Sequence, residues 1–232
     1  MIKAIVTDIE GTTTSISFVA DVLFPYARQR IRDFILANQD QSEVAEQIGA
    51  VREVLGDANA GIDKVADTLA IWIDEDKKIT PLKTLQGLIW KAGYEDGSLK
   101  GHLYPEVSRV LQLWREQGIA LYVYSSGSVA AQKLLFGFSE QGDLTPLFSG
   151  YFDTHIGGKR EAESYQRIAE TLALPSKDIL FLSDVTAELD AAAKAGLVTL
   201  ALDRQCICDG FGEHPFVHNF EQIDLKQLSE AG

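Results

Sequence analysis

Two carboxylates two residues apart, Asp8 and Glu10, are followed at once by Gly11 and three threonines. They end a short β-branched, apolar run over 2–6 that is interrupted only by Lys3. Such a run bounded by a turn signal reads as a buried strand. The acids therefore stand at a strand's carboxyl end, where open α/β sheets bind ligands. Paired carboxylates beside a glycine- and hydroxyl-bearing turn suit a divalent cation plus a phosphate. Asp8 is placed to attack phosphorus as an aspartyl nucleophile. Read alone, the same acids also cap a strand and begin a turn.

Three further loops carry groups of the same kind. Ser125 and Ser126 follow the apolar run 119–124, Lys159 follows a short strand-like run at 151–156, and Asp184 follows 179–182 with Glu188 one helical turn on. Taken singly, the serines read as a helix N-cap pair, Lys159 as a solvated loop lysine and Asp184 as an N-cap. In a parallel sheet all strand carboxyl ends share one edge, so the four loops converge. Asp8 then attacks phosphorus, and a cation held by Asp8 and Asp184 offsets anion meeting anion. Ser125 and nearby N–H groups donate to phosphoryl oxygens, and Lys159 supplies a compact positive charge. Glu10 protonates the leaving oxygen and then activates water. Glu188 either orients Lys159 or faces solvent.

The elements that must position these groups follow from periodicity. Residues 15–98 read as helical throughout: Phe18, Val22, Leu23, Tyr26, Ile31, Phe34 and Ile35 recur at helical spacing, with Pro25 bending or restarting the helix. Further helices are expected up to Gly56, over 62–76, and from Thr80-Pro81 to Gly93. This stretch is read as an all-helical cap domain inserted over the active-site end of the sheet. From 105 onward helices and strands alternate, with strands at 119–124, 151–156, 179–182, 197–202 and near 216. That alternation specifies an α/β fold, a doubly wound parallel-sheet (Rossmann-like) core made of 1–14 and 99–232.

Composition narrows the partners. The 232 residues are 46% hydrophobic and 24% charged, an ordinary globular balance. A net charge of −13 repels phosphate backbones, so no nucleic acid is expected. No window approaches about 18 consecutive apolar residues, so no membrane span is expected. The N-terminus enters a strand with no charged leader, and Cys206 and Cys208 are too few and too close for a disulfide framework. A cytoplasmic monomer acting on a small phosphorylated molecule is the resulting expectation. Cys206, Cys208, His214 and His218 invite a zinc reading, but their C-x-C-x5-H-x3-H spacing is not a standard one, and structural zinc is not expected. His102 and His155 read as packing or surface residues.

The ordered set Asp8-x-Glu10, Ser125, Lys159 and Asp184 resembles the haloacid dehalogenase superfamily, and the helical insert resembles that superfamily's cap. Glu10 stands where the superfamily usually has a second Asp. With Glu-Gly-Thr-Thr after it, the string Ser125–Lys133, and Phe-Leu-Ser-Asp-Val at the last motif, the chain is similar to the enolase-phosphatases of methionine salvage. The resemblance implies one Mg²⁺ per chain served by Asp8, Glu10 and Asp184, with Ser125, Ser126 and Lys159 contacting substrate. It implies enolisation and dephosphorylation of 2,3-diketo-5-methylthiopentyl-1-phosphate to 1,2-dihydroxy-3-keto-5-methylthiopentene. Arg204 matches a family arginine usually followed by Pro, Gly and Asn, whereas Gln205-Cys206-Ile207-Cys208 follows here. Alternatives are a Mg²⁺-dependent phosphatase of another metabolite, a dehalogenase that would leave Asp184 and Glu10 idle, and a catalytically silent phospho-ligand binder.

Overall fold

Among the described residues, 1–208 and 210–230 of a computed structural model, six strands join in one sheet. They are β1 (Ala4–Thr7), β2 (Ala120–Tyr124), β3 (Gly150–Phe152), β4 (Ile179–Ser183), β5 (Val198–Leu202) and β6 (Phe216–Val217). Their order is β3-β2-β1-β4-β5-β6, and every pairing is parallel. Strand order reverses between β1 and β4. Crevices open outside the carboxyl ends at such reversals, because the connections leave to opposite faces. Ala4–Thr7 pair in register with both Ala120–Val123 and Ile179–Leu182, so β1 is central.

Both faces of the sheet are covered, which explains its near-continuous apolar strands. Ala4, Val6, Ile179, Phe181 and Ala201 pack in one cluster with Tyr165, Ile168, Leu189 and Ala192. The last four come from α8 (Ala162–Leu172) and α9 (Thr186–Lys194). Alternate residues Ile5, Leu121, Leu180 and Leu200 are buried as well. The helix α6 (Val107–Glu116) buries Val107, Leu111 and Trp114, and Trp114 lies 5.4 Å from the Phe220 ring. One strand departs from the periodicity. The third strand stops at Phe152, because Asp153 turns the chain by accepting the His155 N–H at 2.9 Å. The terminal segment is a two-residue strand followed by the helix Leu225–Glu230.

The chain divides into two compact units: Met1–Ile16 with Gly101–Gly232, which holds the sheet, and Ser17–Lys100, which is helical. In chain order the remaining helices are α1 (Ile16–Phe18), α2 (Phe24–Asn38), α3 (Ser42–Leu55), α4 (Ile62–Asp74), α5 (Thr80–Glu95) and α7 (Val129–Gly137), with α10 (Leu225–Glu230) last. A π-turn, Val19–Leu23, joins α1 to α2, and Phe24 N–H donates to Val19 O across it. The helix thus restarts just before Pro25, whose missing N–H is harmless in a first turn. The helical unit has its own core of Ile31, Ile35, Ile48, Leu69, Leu85, Ile89 and neighbours. The expected stop at Gly93 is not a stop, since α5 runs to Glu95. A Cβ at 93 would lie 2.4 Å from the Tyr26 hydroxyl, so glycine serves close packing there. No described helix is long and apolar enough to cross a membrane.

Candidate active site

The loop after β1 winds tightly enough that Thr12, Thr13 and Thr14 all donate their N–H groups to Ile9 O, at 3.2, 2.9 and 3.0 Å. Gly11 makes this possible with φ 70°, a left-handed conformation that side chains resist. Asp8 N–H donates to Leu182 O of β4 at 2.8 Å, continuing the ladder to the edge. Asp8 itself is 5% exposed. Its Oδ1 accepts the Ile9 N–H at 2.7 Å and pairs with Lys159 Nζ at 2.7 Å. Lys159 is therefore no solvated loop lysine: its side chain is 10% exposed, and it also pairs with Glu188 Oε2 at 2.7 Å. The sequence left the role of Glu188 open, and the structure puts it in this pair.

The loop that carries Lys159 is pinned by three hydroxyls. Tyr124 Oη donates to Gly157 O at 2.8 Å, Ser164 Oγ to Gly158 O at 2.8 Å, and Tyr165 Oη to Lys159 O at 2.7 Å. The ammonium lies 5.9 Å from the Tyr124 ring centroid. Burial alone would lower its pKa, but the Asp8 and Glu188 carboxylates overcome that and hold it above its ordinary value. Ser183 joins the group, donating to Glu188 Oε2 at 2.9 Å while lying 3.4 Å from Asp8 Oδ2. Sequence reasoning missed Ser183, Tyr124, Ser164 and Tyr165 as site-builders. The signal for two of them was present, since each directly precedes a residue singled out, Ser125 or Asp184.

Asp184 lies against the Asp8 loop: a Cβ at Gly11 would come 2.0 Å from its Oδ2. Burial, then repulsion from Asp8, push its carboxyl up to about 7. Glu188 is raised too, by burial and then by Asp8. Asp184 Oδ1 and Thr12 Oγ1 are buried with no hydrogen-bond partner among the described residues. Three carboxylates against one ammonium leave two negative charges when all are ionised, and a buried imbalance of that size is costly. The donor set and the orphaned oxygen fit a hard divalent cation with oxygen ligands. Glu10 is exposed on the same loop, in a backbone bridge with Thr14.

Ser125 and Ser126 occupy the loop after β2, beside β1. Ser125 is 5% exposed, and its Oγ accepts the Gly127 N–H at 3.1 Å, while Ser126 is exposed. Neither caps α7, where Ser128 Oγ accepts the Ala131 N–H at 3.3 Å. Asp153 Oδ2 adds a contact to Val129 N–H at 3.2 Å, and Gln132 Nε2 ties Gly127 O to Phe152 O at 2.8 Å each. On the other flank, Arg204 Nε and Nη2 donate to Thr12 O at 3.0 and 2.6 Å, and Nη1 pairs with Glu106 at 2.5 Å. The guanidinium stacks 4.0 Å from the Tyr104 ring centroid. The first loop is thus clamped by a buried arginine that the sequence flagged only through its unusual successors. His102 Nδ1 meets Thr14 Oγ1 at 2.9 Å, a packing role on the same loop.

The haloacid dehalogenase-like hydrolase family matches residues 2–196. "Enolase-phosphatase E1" of Serratia proteamaculans is 53% identical over 229 residues, covering 99% of this chain and 100% of its own. The protein of that name from Pseudomonas aeruginosa (strain LESB58) is 56% identical over 223 residues, covering 96% and 98%. Among solved structures, the UTR4 protein of Saccharomyces cerevisiae superposes with a TM-score of 0.81 at 31% identity, over 96% of this chain and 100% of its own. An L-2-haloacid dehalogenase from Xanthobacter autotrophicus shares the fold at TM-score 0.53 and 19% identity, covering 88% and 78%.

Proposed function

The chain belongs to the haloacid dehalogenase-like hydrolase family, and from that premise we propose how its carboxylate–lysine cluster carries out an enolase-phosphatase reaction. The activity is that of methionine salvage: 2,3-diketo-5-methylthiopentyl-1-phosphate is enolised and dephosphorylated to 1,2-dihydroxy-3-keto-5-methylthiopentene. The observation that carries the chemistry is the buried Asp8–Lys159–Glu188 group beside Asp184, whose Oδ1 has no hydrogen-bond partner among the described residues.

Asp8 Oδ2 is the attacking atom, because Oδ1 already holds the Ile9 N–H and the Lys159 ammonium. Attack forms the Asp8 acyl phosphate as the bond from phosphorus to the substrate oxygen breaks. Glu10 gives its proton to that leaving oxygen. The same carboxylate then takes a proton from the water that cleaves the acyl phosphate, which restores Asp8 and releases phosphate. Lys159 stays charged through both steps and offsets charge on the transferring group. Ser125 and Ser126, with the N–H groups of their loop, hold the phosphoryl oxygens. One Mg²⁺ per chain would be held by Asp8, Glu10 and Asp184; when bound, it offsets the two excess negative charges and polarises substrate oxygens. The enol step removes a proton from the phosphate-bearing carbon, since the product has its double bond there. We assign that proton to Glu10, which is one methylene longer than the superfamily's usual Asp, while the adjacent carbonyl oxygen takes up a proton from water as the carbon–carbon double bond forms. Residues 15–98 take the part of the inserted cap domain.

The test mixes protein, diketo substrate and Mg²⁺, and follows enol absorbance and phosphate separately. Asp8→Asn is expected to lower phosphate release by a factor on the order of 10⁴ or more, as loss of a nucleophile does, while enol still forms. Phosphate release that persists in Asp8→Asn removes the nucleophile assignment. Glu10→Asp is expected to slow enol formation, and enolisation at the full rate in that variant removes Glu10 as the proton carrier. Phosphate without any enol intermediate would instead favour a plain phosphatase of another metabolite.

A further inference from the structure

Apart from the Arg204 clamp, the loop between β5 and β6 takes no part in the chemistry above, yet it holds two cysteines in left-handed backbone, Cys206 at φ 54° and Cys208 at φ 56°. The four-residue zinc set suggested by spacing is not what the fold assembles. His214 is engaged elsewhere, through Thr199 Oγ1 at 2.8 Å and Asp190 Oδ1 at 3.1 Å. A different trio meets instead: Asp203, Cys208 and His218 each bring one donor atom within 4.8 Å of the others. We infer that Asp203, Cys208 and His218 form a second metal site, for a borderline divalent ion of the zinc type, distinct from the all-oxygen site at Asp8 and Asp184.

The sheet itself creates the juxtaposition. Leu202 pairs with Val217, and Asp203 N–H donates to Val217 O at 2.8 Å, so the next residue on each strand, Asp203 and His218, emerge side by side. Asp203 is 2% exposed, and its carboxylate is already oriented by the N–H groups of Ile207 at 3.0 Å and Cys208 at 2.8 Å. Those two bonds fold the loop back and carry the Cys208 side chain to the carboxylate. His218 Nδ1 lies 3.0 Å from Asp203 O and 3.5 Å from Asp203 Oδ2. Ring and carboxylate are therefore positioned before any ion arrives, which lowers the ordering cost of binding.

The donor chemistry selects the ion. One thiolate, one imidazole and one carboxylate suit Zn²⁺ and its neighbours, whereas Mg²⁺ takes oxygen donors. Binding releases the Cys208 thiol proton to solvent, and the resulting thiolate with the Asp203 carboxylate balances a double positive charge. Cys208 is exposed, so the ion has an entry path, and three protein donors leave one position of a tetrahedron to water. Asp203 is followed at once by Arg204, which clamps Thr12 O. Occupancy therefore braces the loop next to that clamp and raises thermal stability.

Co²⁺ reports the site directly, because sulfur ligation gives a near-ultraviolet charge-transfer band and oxygen ligation does not. With Mg²⁺ saturating, the full-length protein is titrated with Co²⁺ under reducing conditions. The expected result is a sulfur band complete at one equivalent, lost in Cys208→Ser and in His218→Gln, and kept in Cys206→Ser. Zn²⁺ displaces it, and calorimetric Zn²⁺ affinity falls roughly a hundredfold or more in Cys208→Ser. Far-ultraviolet dichroism of each variant separates ligand loss from misfolding, and any variant that fails it is replaced by Cys208→Ala or His218→Asn. No band at one equivalent, a band that survives loss of Cys208 or His218, or one that also vanishes in Cys206→Ser overturns the inference.

Discussion

Asp184 shows what one residue's surroundings do to its chemistry. Its carboxyl rises to about 7, first from burial and then from the neighbouring Asp8 charge. The folded value lies above the unfolded one, so the folded protein binds the extra proton between about pH 4 and 7. The stability contributed by that proton is full below the unfolded pKa and is lost as pH rises to 7. In the proposed site Mg²⁺ would need the deprotonated carboxylate, so the proton and the cation would compete. The apparent Mg²⁺ affinity is therefore expected to fall about tenfold for each pH unit below 7, read as the Mg²⁺-induced rise in melting temperature at pH 8 against pH 5.5. An equal rise at both pH values would detach Asp184 from the cation. Lys159 is the counterpart: two carboxylates keep it charged despite its burial, so its ammonium is constant across this range.

At the scale of elements, the site is a set of short connections held from behind. The β1 loop is shaped by Gly11, the clamp of Arg204 and the threonine turn, and the Lys159 loop by three hydroxyls from β2 and α8. Gly11→Ala tests the first of these. It places a side chain in left-handed backbone, at a cost of about 1 kcal/mol, and puts a Cβ 2.0 Å from Asp184 Oδ2. Displacing the carboxylate by an ångström should lower Mg²⁺-dependent phosphate release roughly a hundredfold, with only a small change in melting temperature. If the variant keeps its full rate, Asp184 does not need its observed place. Gly93 answers to the same packing logic within the helical unit, where Tyr26 takes the space a methyl group would fill.

At the scale of the whole chain, two hydrophobic clusters share no residue: one spans Tyr26 to Trp90, and the other lines the sheet. Leu69 and Phe181 are each 0% exposed, one in each cluster. Leu69→Ala and Phe181→Ala should each cost roughly 2–5 kcal/mol, as core truncations do. In urea unfolding of the single and double variants, the two costs should add to within about 0.5 kcal/mol, because the residues have no common neighbour in either cluster. A larger coupling energy would mean that the two residues share packing partners. The strand order places the carboxyl ends of β1 and β4 together at the reversal, so residues 8 and 184 become neighbours across a long stretch of chain.

The amino-acid sequence by itself determined the periodicities, and through them the parallel sheet, the helical insert and the order of the reactive groups. Short-range chemistry sufficed, because alternation, caps and turn glycines act over a few residues. Asp8, Lys159 and Asp184 were legible as a set only because strand ends in a parallel sheet share an edge. Tertiary structure alone decided the rest: that Glu188 pairs with Lys159, that Tyr124, Ser164 and Tyr165 pin the lysine loop, and that Asp203 replaces His214 and Cys206 beside Cys208 and His218. It also decided that Gly93 makes room for a tyrosine instead of ending a helix. Each of these depends on side chains meeting across distant segments, and strand register and burial fix such meetings where local spacing carries no trace of them.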